Sequence, residues 1–397
     1  MKTVTATKFK DTDIGYIPEG WEVLPIYNLA RWINGLAFKN IHFSEIGRPV
    51  IKINELKYGI TDQTQFTEDV FDDAYSLKTG DLLFSWSGSP DTSIDAFWYG
   101  LQDGWLNQHI FKIISNKKVR SDFLFYIFKA NKQKFIEIAR DKQTTGLGHV
   151  TIADLKRFYV ALPPEDQQKQ ITEILSWLDD KIELNRKINA NLEKLAAVLF
   201  KKEFIDIKDE LPEGWRTGTF GEAVENFDSK RIPLSNRERE KRQGLYPYYG
   251  ATSIMDHVDD FIFDGIYVLL GEDGSVAREN GKPFIQYVSG KIWVNNHAHV
   301  LRGKNGFSTE YIKIFLDQVD ISPFVTGAVQ PKLNQANMNS IPMVIPDPKT
   351  LDRFNQIVSS LFGMILENEK ENKNLEQIRD SLLPRLMNGK IGVPVNQ

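Results

Sequence analysis

The 397-residue chain contains no cysteine, which excludes disulfides and thiolate metal sites and fits a reducing cytoplasm. No run of about 18 apolar residues occurs, so no membrane-spanning helix is expected. The stretch from Met1 to Asp13 lacks the apolar segment of a secretory signal. Histidines number only six and are scattered, with His297 and His299 the one close pair, so no metal site is expected. No Gly-rich loop followed by Lys-Ser/Thr is present, which argues against ATP hydrolysis. The Asn/Asp-Pro-Pro-Tyr/Phe tetrapeptide of amino-methyltransferases is also missing; the single Pro-Pro pair is Pro163-Pro164, between Leu162 and Glu165. A Mg²⁺ nuclease needs Pro-Asp followed by an acidic-x-Lys pair. Pro346-Asp347 and Glu371-Asn372-Lys373 have those residue types, but the second falls in a helical stretch rather than on a strand. No catalytic residue is expected.

A basic excess is missing too. The net charge is −4, which on its own weighs against a nucleic-acid partner. The charge is patterned, however. Lys117, Lys118, Arg120, Lys129, Lys132, Lys134 and Arg140 face only Asp122, Glu137 and Asp141 in their stretch. Lys230, Arg231, Arg237, Arg239 and Lys241 form a second basic stretch, and every charge from Asp256 to Asp273 is negative. Local stripes matter more to a phosphate backbone than net charge does, although a solvated face would look the same. Apolar residues at 41% and aromatics at 12% are enough for real cores, and the length suits two or three domains.

The sequence repeats itself. Ile17-Pro18-Glu19-Gly20-Trp21 returns as Leu211-Pro212-Glu213-Gly214-Trp215. Trp105, Asn107 and His109 return as Trp293, Asn295 and His297 with the same spacing. Thr145-Gly146 returns as Thr326-Gly327, and Leu162-Pro163 as Ile345-Pro346. The period, roughly 200 residues, is far above that of solenoids and points to a duplicated unit with internal pseudo-twofold symmetry. Each unit opens with a mixed part. Short apolar runs such as Asp81 to Phe84 and Ile266 to Leu270 read as strands, and Phe123 to Ile138 reads as a helix.

Each unit closes with a long helix. After Pro164 no Gly or Pro appears until Pro212, and after Pro348 only Gly363 interrupts before Pro384. Proline at the entrance and acidic Glu165 and Asp166 in the first turn fit a helix start. Ile171, Leu175, Leu178, Ile182, Asn185, Asn189, Leu192, Ala196 and Leu199 follow alternating steps of four and three. Phe354, Val358, Leu361, Ile365, Asn368, Asn372, Leu375, Arg379 and Leu382 follow the same steps. This is an a/d seam sustained over about four heptads. Two Asn recur at matched places in each seam, and buried Asn is best known for fixing register. The expectation is that the helices pair antiparallel with these amides near the middle; the alternative is two independent helices on separate domains.

This arrangement resembles the specificity (S) subunit of type I restriction-modification systems, from about Ile17 to Ile391. The pieces that carry the resemblance are Thr144-Thr145-Gly146-Leu147-Gly148-His149 with Asp154-Leu155-Lys156 and Leu162-Pro163-Pro164, Gln167 to Ile171, Gly80 to Gly88, and Leu106 to His109. Tyr246 to Ala251, Glu272-Asp273-Gly274 and Leu382 to Met387 carry it in the second half. There Gly146 to His149 becomes Gly327-Ala328-Val329-Gln330, as expected of two domains that read different sequences. The resemblance implies an α+β fold: two pseudo-symmetric mixed α/β target-recognition domains joined by two long antiparallel coiled-coil helices. The expected boundaries are a first recognition domain over 1–164, a spacer helix over 165–205, a second domain over 206–347, a spacer helix over 348–390 and a tail over 391–397. It implies a non-catalytic subunit that reads a bipartite, asymmetric double-stranded DNA target in the cytoplasm. Two modification (methyltransferase) subunits would dock on the helices, and restriction (translocase-nuclease) subunits would join them. S-adenosylmethionine, ATP and Mg are expected on those partners and no cofactor on this chain. A standalone DNA-binding or methyltransferase-accessory protein, or a scaffold that never reads DNA, is the alternative.

Side chains that donate to phosphates or base edges are the candidate contacts. Ser85, Trp86, Ser87 and Ser89 leave a strand for a polar loop, with Trp86 either at the surface or in the core. Thr144, Thr145 and Gly146 offer small donors and permissive backbone, and His149 follows. Lys230, Arg231, Arg237 and Arg239 form the second basic stretch. Tyr248 and Tyr249 suit strand packing better than sugar contact. Asn107 with His109, and Asn295 with His297, serve either readout or structural hydrogen bonding. Lys332, Asn334 and Gln335 stand as the counterpart of His149 to Thr151. On the helices the seam candidates are Leu178, Ile182, Asn185, Asn189 and Leu192, facing Leu361, Ile365, Asn368, Asn372 and Leu375.

Overall fold

A computed structural model describes residues 8–143, 146–207, 210–327 and 329–393. The chain divides into two compact units. One runs up to Lys181 and resumes at Asn374; the other spans Ile182–Lys373. Both divisions fall inside the long helices. Each unit therefore holds one mixed domain and a part of each helix.

In the first unit, strands β1 (Ala30–Asn34), β2 (Leu82–Ser85), β3 (Asp95–Trp98) and β4 (Ile110–Ser115) form an antiparallel sheet in the order β3-β2-β4-β1. A second sheet orders Phe66–Thr67, Arg48–Ile51, Gly104–Leu106 and Ser76–Leu77, its central pair parallel. The single helix expected over Phe123 to Ile138 is two, α1 (Ser121–Ala130) and α2 (Lys132–Asp141). Asn131 breaks it: its amide turns back to donate to the Ile127 carbonyl at 2.8 Å, the local competition that makes Asn a poor helix-interior residue. Both helices bury aromatics on the sheet, with Phe84 stacked on Phe128 at 4.7 Å and beside Phe135 at 5.3 Å.

The second unit joins six strands into one sheet. They are β5 (Val224–Asn226), β6 (Gln243–Tyr249), β7 (Ile254–Val258), β8 (Phe263–Gly271), β9 (Ile285–Val294) and β10 (Ala298–Gly303), in the order β5-β10-β8-β9-β6-β7. Only β6 and β9 run parallel. Helix α3 (Thr309–Gln318) lies over the sheet, its first turn capped by the Ser308 hydroxyl.

The repeated Pro-Glu-Gly-Trp segment has one job in both units. Trp21 N donates to Pro18 O and Trp215 N to Pro212 O, both at 3.0 Å, turning each indole onto the helix entrance. The Trp21 indole donates to Gln167 Oε1 at 2.8 Å, and that of Trp215 to Asp347 Oδ2 at 3.1 Å. Two-stranded ribbons flank these turns, Glu22–Pro25 with Tyr159–Leu162 and Arg216–Thr219 with Pro342–Ile345. Each ribbon feeds a long helix, the first over Glu165–Phe200 with a widened turn at Lys201–Ile205, the second over Pro348–Met387. Gly363 does not interrupt the second helix.

The helices pair inside each unit. In the first, Ile171 and Leu175 share a core with Leu383, Leu386 and Met387, and Arg379 donates to Asp179 Oδ1 at 2.8 Å. In the second, Asn185 Nδ2 donates to Asn372 Oδ1 at 2.9 Å, and Asn368 Nδ2 to Asn189 Oδ1 at 2.7 Å. A step of four residues up one helix is a step of four down the other, so the pairing is antiparallel. Leu192, Ala196 and Phe200 there meet the core that holds Val358, Leu361, Phe362 and Ile365. Of the remaining seam residues, Leu178, Ile182 and Leu375 are buried.

Candidate DNA-reading junctions

In the first unit three segments converge at the end of β2. Trp86 N donates to His109 O at 3.1 Å, and Val150 N donates to Trp86 O at 2.8 Å. Ser87 stands opposite His149 in a two-residue ladder. Gly148 sits so close to α2 that a Cβ there would lie 2.1 Å from the Ala139 carbonyl oxygen. Trp86 is half-buried, stacked on Phe111 at 5.4 Å, with its N–H on Asn34 Oδ1 at 3.0 Å. His109 and Ser89 are exposed, while Ser87 and His149 are half-buried. Partial burial holds the His109 pKa below the ordinary histidine value. Gly146 turns the chain at φ +87°; Thr144 and Thr145 lie outside the described residues.

The second unit builds the same junction at the end of β8. Glu272 N donates to His297 O at 2.8 Å, Leu333 N donates to Glu272 O at 2.8 Å, and Asp273 bridges to Lys332. His149 thus has Lys332 as its counterpart and not Gln330, because the segment after Gly327 is longer by two residues. Lys332, His297 and Gln335 are exposed, and the His297 ring is hydrogen-bonded to Asp273. Beneath them His299, only 1% exposed, donates from Nε2 to Leu333 O at 2.7 Å and shares a hydrogen bond between Nδ1 and Asp228 Oδ2 at 2.5 Å. Arg231 donates to Glu272 Oε2 at 2.8 Å and to Ala298 O at 2.7 Å. Burial pushes the Asp228 pKa up, but the His299 hydrogen bond and charge, the Asn226 amide and Val300 N outweigh it and hold it below the usual value. Asp228, Glu272 and His299 are the one metal-compatible group among the described residues. The Arg231 guanidinium already sits 2.8 Å from Glu272 and 3.5 Å from Asp228, supplying the positive charge a metal would bring.

Several candidates face inward. Ser85 is fully buried in β2. Asn107 and Asn295 are 6% and 3% exposed and brace the junction instead, each accepting from the backbone N–H two residues on, of His109 and His297. Asn334 spends its side chain capping the helix Gln335–Asn339, as Thr151 does for Ile152–Arg157. The basic stretch divides as well. Arg239 is buried against the Tyr248 ring at 5.1 Å, bonded to Asp256 at 3.2 Å and to Leu234 O at 2.8 Å, and Arg231 belongs to the network just described. Lys230 and Arg237 remain exposed. Tyr249 is half-buried, and burial, reinforced by Glu369, raises its pKa. In the first unit much of the basic stretch is spent internally: Lys129 and Lys132 both bond Asp95, at 2.8 and 2.6 Å, while Arg140 pairs with Asp91 and Lys142 with Asp154.

Sequence reasoning missed Asp228, Glu272, Asp273 and His299 as members of the second junction. The duplication alone does not find them: setting His297 on His109 by sequence spacing puts Gly274 opposite Trp86, and it is the shared backbone hydrogen bonds that align Glu272 with Trp86.

The chain is thus a duplicated pair of mixed domains, each followed by a seam helix. The family described as "Type I restriction modification DNA specificity domain" matches twice, over residues 18–194 and 212–378. The chain belongs to this family of type I restriction-modification specificity subunits, whose part is DNA recognition without catalysis. It is 26% identical to the type I restriction enzyme MjaIX specificity subunit of Methanocaldococcus jannaschii, covering 98% of this chain and 97% of that one. A putative type I restriction enzyme specificity subunit of Haemophilus influenzae is 35% identical over 37% of each chain. The crystal structure of the S subunit of a type I restriction-modification system from M. genitalium matches with a TM-score of 0.56 at 16% identity, covering 99% of this chain and 100% of that one. That last likeness is one of fold. Among the described residues no helix is long and apolar enough to cross a membrane.

Proposed function

We propose that the two mixed domains read the two halves of one bipartite, asymmetric double-stranded DNA target, and that the paired helices set the gap between them. The observation that supports this best is a single backbone junction built twice with different side chains, which suits two readers of unlike sequence. The first helix has 36 residues, so at 1.5 Å per residue it is a rod of about 54 Å, on the order of 16 base pairs. Two readers on stiff spacers require half-sites at a fixed separation.

Methyltransferase subunits dock on the outward helix faces in this reading. In the first unit Ile174, Trp177 and Ile378 are exposed there, and in the second Leu184, Leu195, Val198, Ile357 and Met364. Apolar residues repeating on a helix face that the seam does not use suit partner helices. Two such subunits would carry S-adenosylmethionine, and restriction subunits would carry ATP and Mg. The complex would act in the cytoplasm. The test is to co-purify the chain with its methyltransferase and map adenine methylation on a randomised duplex library. Methylation confined to two unlike half-sites at one separation is expected; methylation without sequence preference, or at one contiguous site, would refute the proposal.

A further inference from the structure

The two junctions follow one hydrogen-bond plan, so their positions can be compared one for one. Trp86 and Glu272 each donate to the carbonyl of a histidine, His109 or His297, and each accepts from the next segment, Val150 or Leu333. Ser87 and Asp273 each face the residue that precedes that acceptance, His149 or Lys332. Trp86 therefore corresponds to Glu272, His109 to His297 and His149 to Lys332. On the strands below, Asn34 pairs in register with Phe111, and Asp228 is hydrogen-bonded to His299.

The backbone is kept while the chemistry is exchanged. Under the first junction the support is neutral: Trp86 stacks on Phe111 and donates to Asn34. Under the second the same places hold Glu272, His299 and Asp228, tied by Arg231. Glu272 Oε2 is taken by Arg231, while Oε1 faces the Lys332 ammonium at 3.4 Å, a loose pair. The Lys332 side chain is 49% exposed and the His297 side chain 48%. Lys332 can turn outward without leaving a buried charge unpaired, since Arg231 stays on Glu272, while the exposed His297 ring is held in place by Asp273.

We propose that Lys332 and His297 are the base-reading pair of the second unit and select a guanine major-groove edge, with Glu272 a positioning residue that holds Lys332 over the junction. This rests on the DNA-recognition reading above. Guanine offers two acceptors, O6 and N7, where adenine pairs its N7 acceptor with an N6 donor. A lysine has donors only, so it matches the first pattern and meets a clash in the second. In the first unit His109 and His149 occupy the reading places. His149 stands where Lys332 stands, and a neutral imidazole offers one donor and one acceptor, a different pattern at the same point of the fold.

The experiment compares complexes of methyltransferase with the wild-type chain, Lys332→Gln, Lys332→Arg, Glu272→Gln, Glu272→Ala and His149→Lys on the randomised duplex library, with a thermal melt of each. Lys332→Gln should lose preference for guanine at one position of one half-site by on the order of tenfold, leaving the other half-site unchanged. Lys332→Arg should retain that preference. Glu272→Gln should relax the same position without lowering the melting temperature as far as Glu272→Ala does. His149→Lys should alter the other half-site alone. The proposal is overturned if Lys332→Gln keeps the guanine preference and only weakens all sequences alike with a salt slope reduced by about one, the mark of a phosphate contact. A change spread over both half-sites overturns it too. A wild-type complex with no sequence preference overturns instead the recognition reading on which it rests.

Discussion

Asn185 Nδ2 donates to Asn372 Oδ1 at 2.9 Å, joining two buried amides inside a largely apolar seam. A second amide pair follows four residues on, Asn368 to Asn189, and Asn189 also donates to the Ile365 carbonyl at 3.2 Å. An amide on a seam is costly alone and cheap when paired, so these contacts select one register among those the leucines would accept. Asn185→Ala leaves the Asn372 amide without this partner and should destabilise the chain by about 1–3 kcal/mol. Replacing both by leucine should recover most of that stability while loosening register. Chemical denaturation of the three variants checks the first outcome, and disulfide trapping between engineered cysteines along the helices checks the second.

The helix pair should act as a ruler. Removing one heptad at facing positions of both helices shortens the rod by about 10 Å. The preferred gap should then shrink by roughly 3 base pairs. Removing a heptad from one helix alone puts the two amide pairs out of register and should abolish the complex. Methylation of duplexes with stepped gap lengths reads this directly, and an unchanged gap preference would count against the ruler.

Two arginines two residues apart should behave in opposite ways. Arg237 is exposed, so Arg237→Ala should weaken DNA binding about equally for all sequences and lower the salt slope by about one. Arg239 is 9% exposed and holds Asp256, so Arg239→Ala should lower the melting temperature and leave the Asp256 carboxylate without that partner. Salt-dependent binding isotherms and thermal melts on both variants separate the roles.

Asp95 should make the first unit acid-sensitive. Burial pushes its pKa up, but Lys129 and Lys132 outweigh that and hold it below the usual carboxylate value. A carboxyl depressed on folding contributes stability that is present above its unfolded pKa and is lost as pH falls through the folded one. Asp95→Asn should therefore cost on the order of 2 kcal/mol at pH 7, with the difference from wild type closing below about pH 4. Urea denaturation from pH 7 down to pH 3 tests the sign.

What could be read early was whatever depends on periodicity and recurrence. The four-three steps from Ile171 to Leu199 and from Phe354 to Leu382 mark the seam, because heptad spacing is local geometry. The matched tryptophan turns mark the duplication for a similar reason. The junction residues were legible only in part. His109, His297 and Lys332 stood out as polar residues in loops, and they are at the surface. Asn107, Asn295 and Arg239 stood out on the same grounds and are buried, since a polar side chain looks alike in sequence whether it braces a turn or meets solvent.

The amino-acid order by itself determined the two-fold repeat, the long helices and the amide-bearing seam, because these follow from residue spacing along one chain. Tertiary structure alone decided which charges are spent inside. Lys129 and Lys132 read as a basic stripe until Asp95, more than thirty positions earlier, folds between them. Glu272 and His299 read as scattered until neighbouring strands set them 3.7 Å apart, where Trp86 and Phe111 stack in the other unit. Charge pairing across strands depends on distances in space, and no local spacing rule carries those distances.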